Sequence, residues 1–341
     1  MRPHAELDPR VALTGGAPGE CPWFARWDLL SAAEREHLIA HSAPYLDIKT
    51  SGSTGAATAW RRTREQLVSE ARMLAGLWSE RRIDAVLAFA PPAHLYGMLT
   101  TVLVPALLGV PVWYQPSFDV EMPDISPRGL GVGAIPWTFR ILARYPDFLS
   151  TVDELSILHS TATLPPEAHD LPAPGDVRIT EIFGSTETGG IAHRTGETQP
   201  WTLFDDVKLL GDDSGEVPLV VAGPRLAGEL TEWRTDDFVE VVDARRFRFL
   251  GRRARLCKIN GLRVNLDTVQ RELAERVPCA DLACFPVRDT LRGESFLVRV
   301  VGSEPGLPHA VRAAAKELGL NPQSVELVDR IDRSETGKLR A

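Results

Sequence analysis

Residues 85–114 read AVLAFAPPAHLYGMLTTVLVPALLGVPVWY. Three elements are legible there: Ala85 to Ala90 has strand character, Gly97 to Leu108 has helix character, and Val110 to Tyr114 is strand-like again. The most apolar run, Leu99 to Val112, is too short to cross a bilayer and is punctuated by Pro105, Gly109 and Pro111. It reads as a buried helix running into a strand. The same rhythm extends outward. Leu46 to Lys49 is a short strand, and a helix follows in which Thr63 and Gln66 form a capping-box pair while Leu67, Ala71, Leu74, Ala75 and Trp78 recur at helical spacing. Gly131 to Ile135, Leu155 to His159 and Val177 to Phe183 are further strands, with a helix over Trp137 to Tyr145. Such alternation predicts a largely parallel, helix-covered sheet.

From Asp206 the pattern changes. Val207 to Leu210, Val217 to Val221, Phe238 to Val242 and Phe247 to Leu250 read as short strands joined by turns, an antiparallel subdomain. A boundary is expected near Gly251, giving a large domain over 1–250 and a small α+β domain over 251–341. The latter has helices around Val269–Val277 and Pro308–Leu318, and strands at Ala280–Val287, Phe296–Val301 and Val325–Val328. Residues 1–45 lack a clear period; Trp23, Phe24, Trp27, Leu29 and Leu30 suggest a helix or turn that packs on something.

The 341 residues allow two or three domains, and 44% hydrophobic with 25% charged residues is ordinary for a globular protein. A net charge of -8 offers no electrostatic reason to expect nucleic acid or an anionic membrane as partner. No signal peptide is visible, and Cys21, Cys257, Cys279 and Cys284 lack metal-ligand spacing. Structural thiols in a reducing cytoplasm are the expectation.

Five segments carry possible chemistry. Thr50-Ser51-Gly52-Ser53-Thr54-Gly55 follows a strand and offers backbone N–H groups and hydroxyls with little bulk, a phosphate cradle in kind; a flexible linker has the same composition. No Gly-Lys-Ser/Thr follows, so it is not the common P-loop. Phe183-Gly184-Ser185-Thr186-Glu187-Thr188-Gly189-Gly190 also follows an apolar strand, and its glutamate could hold a divalent cation beside phosphates or be an ordinary loop carboxylate. Trp233-Arg234-Thr235-Asp236-Asp237-Phe238 places carboxylates where ribose hydroxyls could donate to them, or forms an acidic turn. Gly251-Arg252 with Lys258, Gly261 and Arg263 is a basic hinge. Thr336-Gly337-Lys338 places a lysine in a polar C-terminal tail, where such a residue is usually no more than a solubilising charge.

In this order and spacing the segments resemble the adenylate-forming superfamily of acyl- and aryl-CoA synthetases, peptide-synthetase adenylation domains and luciferases. Thr50–Gly55 matches its phosphate loop, and Pro92-Ala93-His94-Leu95-Tyr96-Gly97-Met98 its acyl-pocket segment. His159 to Glu167 resembles its Gly-Gly-Ala-Pro-Leu stretch, Phe183–Glu187 its Tyr-Gly-x-Thr-Glu, and Trp233–Asp237 its Tyr-x-Thr-Gly-Asp. Gly251-Arg252 with Lys258 and Gly261 matches its hinge, and Lys338 its C-terminal lysine. The resemblance runs from about residue 46 to the end.

It implies ATP-dependent activation of a carboxylic acid as acyl-AMP with pyrophosphate release, then transfer to the thiol of CoA or of a carrier protein's phosphopantetheine. Thr50, Ser51, Gly52, Ser53, Thr54 and Gly55 would hold the β- and γ-phosphates. Phe183 would stack on adenine beside Gly184 and Ser185, Thr186 would contact the α-phosphate, and Glu187 would hold Mg2+. Asp237 and Arg252 would take the ribose. His94, Leu95, Gly97, Met98 and Ala162 would line the acyl pocket, Gly261 would let the pantetheine arm pass, and Lys338 would bridge carboxylate and α-phosphate. The small domain would be mobile. An adenylation-only enzyme and a degenerate nucleotide-binding regulator are the alternatives.

Four departures stand out. Only 49 residues precede the loop, so an N-terminal subdomain is expected to be missing or reduced, exposing apolar surface that Trp23, Phe24 and Trp27 would patch or use for a homodimer. Ala56-Ala57-Thr58 replaces the loop's following lysine, Asp236 the usual glycine, and Ala254 the usual hinge Asp or Lys. Leu95 to Leu99 holds no carboxylate to pair a substrate ammonium, which favours an aryl or acyl acid over an amino acid.

Lys338 and Gly261 would serve different half-reactions. Lys338→Ala should lower acyl-AMP formation by roughly 10²- to 10³-fold yet keep most conversion of supplied acyl-AMP and thiol to thioester; a bulky residue at Gly261 should do the reverse. Separate assays of the two half-reactions check this, and normal adenylation by Lys338→Ala would remove the tail from the chemistry.

Overall fold

The computed structural model describes residues 3–50, 58–173, 175–211, 215–259, 262–289 and 293–332. The expected phosphate-loop residues Ser51–Gly55, the thiol-tunnel Gly261 and the tail Lys338 lie outside them. The chain forms two compact units, residues 1–210 with 221–233, and residues 211–220 with 234–341.

The first unit contains strands β1 (Ala5–Glu6), β2 (Trp23–Ala25), β3 (Tyr45–Thr50), β4 (Thr58–Thr63), β5 (Ala85–Ala88), β6 (Val112–Tyr114), β7 (Gly129–Ala134), β8 (Glu154–His159), β9 (Asp176–Ser185), β10 (Gly189–Thr195), β11 (Trp201–Leu203) and β12 (Lys208–Leu210). Apart from β12, they line up as β1-β2-β6-β5-β7-β8-β9-β10-β11, with β3 and β4 paired separately. Neighbours from β6 through β5, β7 and β8 to β9 are parallel. β10 and β11 continue antiparallel on one side, and β2 antiparallel on the other. The expected helix-covered, mostly parallel sheet is therefore present.

Its strands are buried on both faces, which is why β5 and β7 read as unbroken apolar runs. On one face Leu87, Phe89, Val132, Leu155 and Ile157 pack with Phe139, Ile141 and Leu142. Against the other lies a helical run of Leu95–Gly97, a π-helical stretch Met98–Leu103 and Val104–Leu108. Single π turns recur at functional sites; periodicity in the sequence cannot announce one. The helix Arg64–Gly76 opens with the expected capping box: the Gln66 amide donates to Thr63 Oγ1 at 3.2 Å, and the Thr63 amide to Gln66 Oε1 at 3.0 Å.

Two local readings change. Trp23–Ala25 is a strand, followed by a 3-10 turn at Trp27–Leu29, rather than one helix or turn. The edge of β6 offers main-chain groups that need partners, and β2 supplies them. Thr58–Thr63 is also a strand, pairing antiparallel with β3; its two arginines hid the pattern. No helix among the described residues is long and apolar enough to cross a membrane.

The second unit holds β13 (Gly215–Ala222), β14 (Glu232–Asp243) and β15 (Arg246–Arg252), with β14 and β15 antiparallel. The expected boundary residue Gly251 falls inside β15. β16 (Leu256–Ile259) and β17 (Leu262–Asn265) form a hairpin. In the third sheet β18 (Asp281–Asp289) pairs antiparallel with β19 (Gly293–Val301), and β19 parallel with β20 (Ser324–Val328). Helices Leu266–Arg276 and Leu307–Glu317 close its core around Leu273, Phe296, Val298 and Val311. This is the small α+β arrangement expected of the C-terminal region.

Trp23 is 2% exposed, donates its indole N–H to Pro18 O at 3.0 Å and packs on Tyr114 at 5.4 Å between ring centroids. Trp23→Ala should cost about 3–5 kcal/mol, read as a lowered urea midpoint; a change within about 0.5 kcal/mol would mean that these aromatics do not seal the edge of the sheet.

Candidate active site

Strands β5, β7, β8 and β9 run parallel, so the segments leaving their carboxyl ends emerge along one edge of the sheet. In open α/β sheets that edge is where ligands bind. Three of the sequence-selected segments converge there. The acyl-pocket segment leaves β5, residues 160–163 leave β8, and Phe183 to Glu187 ends β9.

Hydrogen bonds tie the three together. The Tyr96 hydroxyl donates to Leu158 O at 2.6 Å, pinning the pocket helix to the end of β8. Burial pushes the Tyr96 phenol up, so it stays a neutral donor. Ser160 Oγ donates to Ile182 O at 2.9 Å, holding the segment after β8 to β9. His94 is exposed at the start of the pocket helix, whereas Leu95, Gly97 and Met98 are buried. Glycine is required at 97: a Cβ there would sit 1.8 Å from Pro91 O and 2.8 Å from Ala90 O. Ala162 is exposed beside Thr161, whose φ of 81° is a strained value for a β-branched residue. His159, just before it, is fully buried against Phe139; burial lowers its imidazole to about 4, and neither ring nitrogen has a hydrogen-bond partner among the described residues.

Phe183 is half-buried and packs on Trp201 at 5.3 Å. Arg194 lies over the Trp201 ring at 4.4 Å and pairs with Glu181 at 2.7 Å. Gly184 and Ser185 are exposed, as a surface approached by a flat ring would be. The Ser185 amide donates to Thr188 Oγ1 at 3.1 Å, folding the chain into a tight turn that presents Thr186 and Glu187, both half-buried. Among the described residues no three His, Cys, Asp or Glu side chains gather as a ready-made metal site. Mg2+ commonly takes one or two carboxylates and completes its shell with phosphate oxygens and water, so the single carboxylate of Glu187 fits it.

Asp237 and Arg252, the pair expected to take the ribose, belong to the second unit. Asp237 faces Arg252 across the β14–β15 ladder, with Arg252 Nε 3.7 Å from its carboxylate. The Asp237 amide donates to Thr235 Oγ1 at 3.1 Å, and that hydroxyl donates to Leu219 O at 3.2 Å. Burial raises the Asp237 carboxyl above its ordinary range and Asp236 adds to this, while Arg252 and Thr235 oppose them without prevailing.

The sequence reading did not single out Arg62, Glu70, Asp206 and Arg225, which surround the Thr186–Gly190 turn from behind. Arg62, Glu70 and Arg225 are buried, and Glu70 Oε2 accepts from Arg62 Nη2 at 2.8 Å. A signal was available: Glu70 stands on the apolar stripe of its helix, three residues after Leu67 and four before Leu74.

A family model described as AMP-binding enzyme matches residues 16–231. A 4-coumarate--CoA ligase of Rhodobacter capsulatus is 28% identical over 307 residues, covering 86% of this chain and 74% of that protein. The crystal structure of ATP-bound MatB from Rhodopseudomonas palustris superposes with a TM-score of 0.66 at 16% identity, over 86% of this chain and 66% of that one. An acyl-CoA synthetase (AMP-forming)/AMP-acid ligase II-like protein from Dyadobacter fermentans covers 93% of this chain and 97% of its own, with a TM-score of 0.53 at 17% identity. The fold is thus shared by a chain of similar extent.

The raised Asp237 carboxyl fixes the sign of a pH effect. The folded state holds this proton more tightly than the unfolded state, so the group's ionisation lowers stability as pH rises from the unfolded value through the folded one. Asp237→Asn should therefore match the wild type in urea unfolding at about pH 3 and equal or exceed it at about pH 7, while binding ATP more weakly. A variant less stable at neutral pH would mean that the Arg252 pair outweighs burial.

Proposed function

Since the chain belongs to the family of AMP-binding enzymes, we propose that it activates a carboxylic acid with ATP and passes the acyl group to a thiol. The observation that carries this reading is the convergence, on the carboxyl edge of the parallel sheet, of the pocket segment around Tyr96 with the Phe183–Glu187 turn.

A carboxylate oxygen attacks the α-phosphorus and the bond to pyrophosphate breaks, giving acyl-AMP. Two anionic groups must meet, so the step needs positive charge. Lys338 would supply it, with Mg2+ held by Glu187 and the α-phosphate oriented by Thr186. The loop Thr50–Gly55 would hold the departing phosphates. Phe183, Gly184 and Ser185 would seat the adenine, and Asp237 with Arg252 the ribose. A thiolate then attacks the acyl carbon and AMP leaves, with Gly261 at the approach of the pantetheine arm. In this division residues 1–250 would bind ATP and acid, and 251–341 would contribute Arg252, Gly261 and Lys338.

The absence of a carboxylate in Leu95–Leu99 and the relative named for 4-coumarate both support an aryl or acyl acid rather than an amino acid. CoA is the acceptor that relative's name suggests; a carrier-protein phosphopantetheine offers the same thiol. Four free cysteines suit a cytoplasmic enzyme.

A pyrophosphate-release screen across aryl, fatty and amino acids tests the proposal, with positive acids repeated with CoA and with a carrier protein. Release that depends on an aryl or acyl acid is expected, and none above the ATP-only rate would sink the reading. Glu187→Gln should keep the fold but cut turnover strongly, most of all at limiting Mg2+; unchanged turnover there would take Glu187 out of the site.

A further inference from the structure

The turn bearing Thr186 and Glu187 rests on buried charge. Glu70 accepts the Gly190 amide at 2.6 Å with Oε1, while its Oε2 accepts from Arg62 and lies 3.7 Å from Arg225 Nη1. Arg62 Nη1 donates to Thr186 O at 3.2 Å, and Arg225 Nη2 to Gly190 O at 2.8 Å. Asp206 takes Arg225 with both oxygens, at 2.7 and 2.8 Å. The Ala227 amide adds a bond to Glu187 O at 2.8 Å. The main chain of the turn is thus held at Thr186, Glu187 and Gly190.

Gly189 shows how closely the cluster presses. It adopts φ +69°, and a Cβ there would lie 2.5 Å from Glu70 Oε2, 2.9 Å from Arg62 Nη2 and 3.0 Å from Arg225 Nη1. The Arg62, Glu70 and Arg225 side chains are 0%, 3% and 2% exposed. Arg62 Nε and Arg225 Nη1 have no hydrogen-bond partner among the described residues. A cluster chosen for stability alone would be poorly justified, since well-packed apolar groups usually serve as well in such places. What these charges supply that apolar groups cannot is directional bonding to three main-chain atoms of one turn, Thr186 O, Gly190 N and Gly190 O.

Resting on the acid-activation reading, we infer that Glu70, Arg62, Arg225 and Asp206 are positioning residues that set the Thr186–Gly190 turn for Mg2+ and the α-phosphate without touching either.

The test compares Glu70→Gln, Asp206→Asn and Asp206→Glu with the wild type. Glu70→Gln keeps shape and an acceptor for Gly190 but removes the charge between two guanidinium groups. The Asp206 side chain is 32% exposed, so Asp206→Asn perturbs the cluster from its rim and serves if Glu70→Gln does not fold. Thermal melting establishes the folded range, and within it acid-dependent pyrophosphate release and ATP binding are titrated with Mg2+. Glu70→Gln and Asp206→Asn should lower kcat by roughly 10- to 100-fold, the range for residues that orient ligand-holding groups. KM for the acid should stay near the wild-type value, half-saturating Mg2+ for ATP binding should rise, and Asp206→Glu should recover most of kcat. Folded variants with a lower Tm but wild-type kcat and Mg2+ dependence would overturn the inference. If the wild type binds ATP but activates no acid, acid activation falls alone; the Mg2+ dependence of ATP binding in the variants still decides for or against the cluster. If the wild type binds no ATP, both fall.

Discussion

Glu70 stands between two arginines in a place where water is almost absent, and that constraint organises the larger unit. A carboxylate so placed must be paired, because the cost of burying an isolated charge exceeds what packing returns. The partners come from separate parts of the chain: Arg62 on β4 and Arg225 from the segment after β13, the latter paired in turn with Asp206 ahead of β12. Meeting around one carboxylate fixes where the strand Thr58–Thr63, the helix Arg64–Gly76 and the turn after β9 lie with respect to one another. Burial lowers the Arg62 guanidinium despite the attraction of Glu70, whereas Arg225 is held above its ordinary range because Asp206 and Glu70 outweigh its burial. Both remain cations.

The parallel sheet supplies the second constraint. Its strands are covered on both faces, so only their ends are open to a ligand, and the carboxyl ends are where the turn, the Tyr96 segment and the Ser160 segment collect. The antiparallel flank of β9, β10 and β11 carries the aromatic wall of Phe183 and Trp201, steadied by Arg194. At the opposite edge β2 closes β6, with Trp23 packed on Tyr114 and Phe24 on Trp113.

Much of this was legible beforehand. The apolar strands of the parallel core, the capping box at Thr63 and the small α+β region could be read because each is written locally, in runs, periods and caps within a dozen residues. The turn after β9 could be picked out for the same reason: Phe183-Gly184-Ser185-Thr186-Glu187 must be contiguous to form it. The strand Trp23–Ala25 was not legible, because it exists to satisfy the edge of β6, some ninety positions away. Nor was the buried role of Arg62 and Arg225, which look like surface charges until their partner appears.

The sequence by itself determined the class of fold and the order of the candidate site segments, since these follow from local hydrophobic pattern and short contiguous motifs. Only the tertiary structure decided that Glu70, on a helix read for its apolar stripe, reaches the Gly190 amide 120 residues away at 2.6 Å, and that Gly189 is hemmed in by three charged groups. The physical reason is that a buried charge is tolerated only where its partners converge, and that convergence is a property of the packed chain, absent from any one segment of it.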